Sequence, residues 1–208
     1  MAEPEGCNPR KLLKIIWETK PKQKSRMTFQ SPSFNKDLQY NAIGRYLQEI
    51  DSDEVYPGIF IGDEGSARNI TYLKNNGITH VVNTAQGQRI AQVDTNAEFY
   101  EPHGIKFLGL KLVDTPETKI SPHFEESANF IDNALNNKGK VLVHCFMGIS
   151  RSATIVLAYL MLFKGLTAED ALRTVREHRD ISPNNGFLQQ LSDLDNSLNK
   201  CQQPQSVL

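Results

Sequence analysis

Cysteine is scarce in this chain of 208 residues: there are three, Cys7, Cys145 and Cys201. They are too few and too scattered for a disulfide framework or a zinc site. The five histidines show no metal-ligand spacing, and His80, His103, His123 and His178 read as surface or structural residues. Neither sign of charge dominates, with 23 Lys and Arg against 24 Asp and Glu. Bulk electrostatics therefore give no reason to expect nucleic-acid or membrane-surface binding. No apolar run reaches the ~18 residues of a membrane-spanning helix, so no stable insertion is expected. Met1–Gly6 lacks the basic-then-apolar layout of a signal peptide. There is no internal repeat. What remains, at 39% hydrophobic residues, is an ordinary globular composition long enough for one domain and a tail.

One stretch organises the rest: Val141–Met161, VLVHCFMGISRSATIVLAYLM. Val141-Leu142-Val143 is a short unbroken apolar run of the kind that forms a strand buried on both faces, and the apolar segment after Ser152 has helical length. Between them lies His144-Cys145-Phe146-Met147-Gly148-Ile149-Ser150-Arg151-Ser152. A strand-to-helix turn of this length can wrap one tetrahedral anion with inward backbone N–H groups, the positive end of the helix and the planar fork of Arg151. The same field favours Cys145 as a thiolate, in the range of about 3.5–7.5 known for activated cysteines. A thiolate beneath a bound phosphate is a nucleophile for phosphoryl transfer. Ser152 can donate a hydrogen bond to the sulfur, which helps the thiolate leave phosphorus in a second step. His144 reads as an orienter of the loop. Cys-x5-Arg alone is a weak signal; His144, Gly148 and Ser152 in a strand–turn–helix context make it specific.

These residues resemble the cysteine-dependent protein tyrosine phosphatase superfamily, and Ala158-Tyr159-Leu160-Met161 looks like its dual-specificity branch. Val55–Gly62, Gly77–Asn83, Thr95–Tyr100 and Pro183–Leu191 are similar to the small, atypical, vaccinia-phosphatase-related dual-specificity phosphatases. The similarity runs from about Tyr40 to Leu198. It implies hydrolysis of phosphotyrosine and phosphoserine or phosphothreonine in proteins, through a phosphocysteine, with no cofactor and no metal. It also implies phosphorylated protein partners, with MAP-kinase-like, doubly phosphorylated substrates among them. A thiolate nucleophile needs a reducing compartment, hence cytoplasm or nucleus.

Such a mechanism needs a proton for the leaving oxygen. Asp114 lies just past an expected strand and before a helix start, where a carboxyl could swing over the pocket and later deprotonate water. A loop Asp is usually a turn residue; the family places its general acid at the matching position, and Glu117 is the alternative. The residues between Cys145 and Arg151, namely Phe146, Met147, Gly148, Ile149 and Ser150, carry no charge. Phosphoinositide phosphatases of the class typically carry lysines there. Close relatives have a tyrosine and an acidic residue where this chain has Ile149 and Met147, so its rim is expected to be more apolar. Arg179 matches a second anion pocket of relatives, and reads equally as a helix-end arginine answering the macrodipole. The competing function classes are a phosphoprotein-binding module with little catalysis and a phosphatase for a non-protein phosphate.

Along the chain, residues 1–36 read as a flexible basic tail, in which Arg10, Lys11, Lys14, Lys20, Lys22, Lys24 and Arg26 face Glu18 alone between the first and last of them. The interleaved Leu12, Leu13, Ile15, Ile16 and Trp17 offer a docking or lipid-touching segment as the alternative. Residues 37–200 form the expected catalytic domain and 201–208 a C-terminal tail. Helices are expected over Asp37–Ile50, Ala67–Asn76, from Ser121 as N-cap, over Ala168–Glu177 with Thr167 as cap, and from Phe187. Strands are expected at Ile59–Gly62, Thr79–Asn83, Lys106–Leu112 and from Val141, with Thr84–His103 a loop carrying a short helix. Strands alternating with helices predict a three-layer α/β/α domain; the resemblance adds that its central sheet is mixed.

Overall fold

The computed structural model describes residues 6–21 and 50–202. Its centre is a five-stranded sheet of β1 (Ser52–Tyr56), β2 (Ile59–Gly62), β3 (Ile78–Asn83), β4 (Lys106–Gly109) and β5 (Lys140–His144), in the spatial order β1-β2-β5-β3-β4. β1 and β2 form an antiparallel hairpin, and β2, β5, β3 and β4 run parallel. The sheet is therefore mixed. β5 lies in the middle because its run is apolar on both faces: Val141 and Val143 pack one way, Leu142 the other.

On the larger face pack α1 (Pro9–Glu18), α5 (Phe124–Asn136), α6 (Arg151–Lys164), α7 (Ala168–Arg176) and α8 (Asn185–Gln202). On the other face Ala67 of α2 (Glu64–Arg68), Tyr72 and Leu73 of α3 (Ile70–Asn75) and Tyr100 of α4 (Ala97–Tyr100) cover Phe60, Ile78, Val81 and Leu142. These are the three expected layers. Parallel pairing aligns Gly62 and Asn83 with His144, so β2, β3 and β5 all end on one edge, the edge at which open α/β sheets carry their sites.

Several local expectations need correction. The helix expected over Ala67–Asn76 is broken, because Asn69 leaves helical conformation (φ −90°, ψ 89°) and its side chain accepts from Tyr72 N to start α3. Ser121 does not cap α5. A 3₁₀ turn over Ser121–His123 precedes the helix, and the N–H groups of Ile120 and Ser121 donate to Gln190 Oε1 of α8 at 2.9 and 3.0 Å. β4 stops at Gly109, after which only Lys111 bridges to Ala85. Ile59–Gly62 is the second strand of the hairpin, not the first. Thr167 caps α7 as expected, accepting from Asp170 N at 3.1 Å. The helix expected over Asp37–Ile50 lies, apart from Ile50, outside the described residues.

The largest correction concerns the expected N-terminal tail. Residues Pro9–Glu18 form α1, with Asn8 accepting from Lys11 N as N-cap and proline at the start. Leu12 and Ile15 are 1% and 2% exposed and join the main core, which stabilises the docked helix by roughly 1.5–3 kcal/mol for each side chain. The far end of α1 is tied down by Arg176 of α7. Its guanidinium donates to Ile16 O at 2.9 Å, to Thr19 Oγ1 at 2.6 Å and to Thr19 O, and also reaches Asp180 and Ile181 O. A buried cation thus satisfies the last carbonyls of a helix that has no basic residue in its own last turn. Arg176→Ala should leave those carbonyls unpaired at about 1–3 kcal/mol each. A thermal midpoint lowered by roughly 5 °C or more is expected, at the few degrees per kcal/mol of a chain this size; an unchanged midpoint would show that the Arg176 tie to α1 contributes nothing to the fold.

Candidate active site

The loop from His144 to Arg151 leaves the C-terminal end of β5 and enters α6. Its geometry follows from where its carbonyls go. His144 O accepts from Thr84 N and Thr84 Oγ1, Phe146 O from Glu64 N, and Ile149 O from Ser182 N. Met147 O and Gly148 O accept from Arg179 at 3.3 and 2.8 Å, and Ser150 O from Thr154 N and Oγ1. Cys145 O accepts from His144 Nδ1 at 3.1 Å. Every carbonyl of the loop is engaged outward, so its N–H groups line the inside. Gly148 makes the tightest bend (φ +69°), and a Cβ there would sit 2.6 Å from Gly62 O and 2.7 Å from Arg179 Nη2. Only glycine fits.

Cys145 lies at the floor, 1% exposed. Its Sγ accepts from Gly148 N at 3.2 Å and from Ser152 Oγ at 3.4 Å. Burial pushes the thiol up. The Arg151 charge, the Ser152 hydroxyl and the backbone N–H groups of Ser152 and Ile149 outweigh it and hold the thiol below its ordinary value. His144 is fully buried, and its pKa is lowered to about 4, by desolvation first and then by the cations Arg68 and Arg151. It is neutral at pH 7 and, donating through Nδ1 to a carbonyl, orients the loop.

Arg151 is 3% exposed. Nη1 donates to Leu112 O at 3.2 Å and Nη2 to Ala91 O at 3.0 Å, while the buried Nε makes no hydrogen bond and lies 3.5 Å from Asp114 Oδ2. Two loops thus aim the guanidinium from behind. Ala91 adopts φ 59° to bring its carbonyl there, a conformation that costs an alanine about 1–2 kcal/mol. Asp114 is itself held: Oδ1 accepts from Ser150 Oγ at 2.7 Å and from Asn184 Nδ2 at 2.9 Å. Asn184 also caps α8 through Oδ1, which accepts from Phe187 N at 3.0 Å. Gly186 lets the loop approach, since a Cβ there would lie 1.9 Å from Pro116 O.

The structure brings Cys145, Arg151, Ser152 and Asp114 together, with His144, Gly148 and Ser150 as their supports. Phe146, Met147 and Ile149 lie partly or fully exposed along the loop. Glu117 is exposed, and Asp114 makes the contacts to the loop. Arg179 is a correction. It is 5% exposed, and its guanidinium donates to Asp51 Oδ1 at 2.9 Å, Asp51 Oδ2 at 3.1 Å and Asp53 Oδ2 at 2.6 Å, besides the two loop carbonyls. It buttresses the loop and has no open face for a second phosphate. Sequence reasoning missed Asn184, Asp51, Asp53 and the Ala91 carbonyl. Asn184 lies in the Pro183–Leu191 similarity, which marks the segment and not the role of this side chain, and the other three carried no signal. Among the described residues no cluster of His, Cys, Asp and Glu could hold a metal, and no helix is long and apolar enough to cross a membrane. A groove of about 410 Å³ between α5, α6 and α8, lined among others by Phe124, Leu162 and Leu194, shares no residue with this site.

The comparison with known proteins agrees with this geometry. Residues 59–197 match the family described as dual specificity phosphatase, catalytic domain. The chain belongs to the dual-specificity phosphatases. It is 50% identical over 149 residues to mouse dual specificity protein phosphatase 13B, covering 71% of this chain and 74% of that one. It is 47% identical over 148 residues to human dual specificity protein phosphatase 26, covering 71% and 68%. The crystal structure of human DUSP28 superposes with a TM-score of 0.62 at 29% identity, over 71% of this chain and 95% of that one. As a dual-specificity phosphatase the chain is a protein tyrosine/serine/threonine phosphatase, and its substrates are phosphorylated proteins.

Proposed function

We propose that the chain removes phosphate from phosphotyrosine and phosphoserine or phosphothreonine through a covalent phosphocysteine. The observation that carries this is the buried Arg151 Nε, which makes no hydrogen bond and lies 3.5 Å from Asp114 Oδ2, on the same loop as a thiol that already accepts from Gly148 N and Ser152 Oγ. Arg151 and the loop amides bind the phosphate oxygens. Cys145 Sγ attacks phosphorus, forming the S–P bond as the ester P–O bond breaks, and Asp114 gives its proton to the departing oxygen. Water then attacks the phosphocysteine, its proton passing to Asp114. The S–P bond breaks and the thiolate departs, with Ser152 Oγ donating to it. Asp114 Oδ1 is taken by Ser150 and Asn184, so Oδ2 is the oxygen that faces the anion site.

No cofactor or metal takes part in this scheme. A working thiolate needs reducing surroundings, which supports a cytoplasmic or nuclear setting in this reading. The basic face of α1, with Arg10, Lys14 and the exposed Trp17, is what remains for N-terminal docking once Leu12 and Ile15 are buried. With the Arg179 guanidinium held by Asp51 and Asp53, no second anion site at that position supports a MAP-kinase-like, doubly phosphorylated substrate, and the proposal does not extend to it. Turnover of phosphotyrosine and phosphothreonine peptides against inositol polyphosphates tests the reading. Peptide hydrolysis well above inositol phosphate hydrolysis is expected, and the reverse ranking would replace the protein substrate by a soluble anion.

A further inference from the structure

Among the described residues five large hydrophobic side chains are exposed, and three of them, Ile90, Val113 and Met147, lie on the loops that build the active site. Each is the chain neighbour of a residue that holds the reacting groups. Ile90 precedes Ala91, whose carbonyl accepts from Arg151 Nη2. Val113 sits between Leu112, whose carbonyl accepts from Arg151 Nη1, and Asp114. Met147 precedes Gly148, whose N–H donates to Cys145 Sγ. Their exposures are 99%, 49% and 59%. The other two, Trp17 on α1 and Phe163 on α6, lie apart, and Phe163 stacks on Tyr159. Among the described residues, exposed large apolar side chains are thus concentrated on the loops that hold the reacting groups.

The charges point the same way. The loop interior is uncharged, and behind the loop one guanidinium, Arg179, faces two carboxylates, Asp51 and Asp53. An acidic residue or a second phosphate beside the phosphoresidue finds no free cation there. The exposed cations nearest in sequence to the rim are Arg89 and Lys111, and they supply the competing outcome, a preference for acidic flanks.

Building on the phosphatase reading above, we propose that Ile90, Val113 and Met147 form an apolar rim that selects phosphoprotein segments with aliphatic or aromatic residues flanking the phosphoresidue. Covering three exposed hydrophobic side chains by apolar neighbours removes apolar surface from water on both partners. The rim would act on kcat/KM through contacts made only when such a segment is bound.

The test compares three phosphotyrosine peptides, flanked by leucine and phenylalanine, by alanine, or by glutamate, with free phosphotyrosine as the reference. The apolar-flanked peptide should exceed the alanine one in kcat/KM by roughly tenfold, the low end of what hydrophobic contact discriminates. In Ile90→Ser that ratio should fall toward one, and Ile90→Leu should restore it. A flat or glutamate-favouring ranking in an enzyme that hydrolyses free phosphotyrosine overturns the rim and leaves the phosphatase reading intact. No turnover of free phosphotyrosine overturns the phosphatase reading itself. Ile90-dependent sedimentation with phosphatidylcholine vesicles, without peptide selectivity, would assign the rim to lipid and overturn the proposal.

Discussion

Cys145→Ser should reduce turnover to background while phosphopeptide binding survives. The serine hydroxyl is not ionised near neutral pH, and neither Arg151 nor the inward amides can make it a nucleophile comparable to a thiolate already held below its ordinary pKa. The anion cradle does not depend on the sulfur. Its shape comes from carbonyls bonded outward to Thr84, Glu64, Arg179 and Ser182, none of which touches the Cys145 side chain. The dissociation constant for a phosphotyrosine peptide, measured by titration calorimetry, should therefore stay within several-fold of the wild-type KM. Arg151→Lys is the contrasting variant: it keeps the charge and loses the planar fork. It should weaken binding and rate together, by about 3–4 kcal/mol, as expected for the loss of a preorganised transition-state donor. Turnover of Cys145→Ser above about a thousandth of wild type would remove the phosphocysteine from the mechanism.

How much of this could be read from the chain depends on how local the determinants are. The β5–loop–α6 unit was legible because strand, anion loop and helix are contiguous from Val141 to Met161, and each element is decided by its own residues. Asp114 was legible in position because it follows a strand, and in role only through a resemblance. Asn184 was not legible. Its side chain reaches Asp114 across 70 positions of sequence, and nothing local marks an asparagine that caps one element while donating to another.

Arg179 shows the same limit with opposite sign. Its match to an anion pocket is a property of its own position, whereas its neutralisation comes from Asp51 and Asp53, on the other side of the molecule in sequence and beside it in space. The α1 helix differs, because its signals were local and were present. Asn8, Pro9 and the spacing of Leu12 and Ile15 spell an N-cap, a first-turn proline and one apolar face. The basic composition of residues 10–26 obscured them, since a charge run reads as a solvated tail unless the apolar period is weighed first. Ser121 illustrates how tertiary structure replaces a local device: Gln190 of α8 takes the N–H groups of Ile120 and Ser121.

Asp114→Asn should separate substrates by leaving group. The amide keeps Oδ1, which can still accept from Ser150 Oγ and Asn184 Nδ2, so the loop should stay in place. What is lost is a proton at the other oxygen, the one that faces Arg151. Phosphotyrosine and alkyl phosphates leave as strongly basic oxyanions and need that proton, so their hydrolysis should slow by roughly 10²–10⁴-fold. Aryl phosphates with a leaving group of low pKa depart without it and should slow far less. Single-turnover measurements on phenyl phosphates of graded leaving-group pKa should show a slope in the variant steeper than in the wild type. An equal loss across the series would make Asp114 a support for Ser150 and transfer the acid role to Glu117.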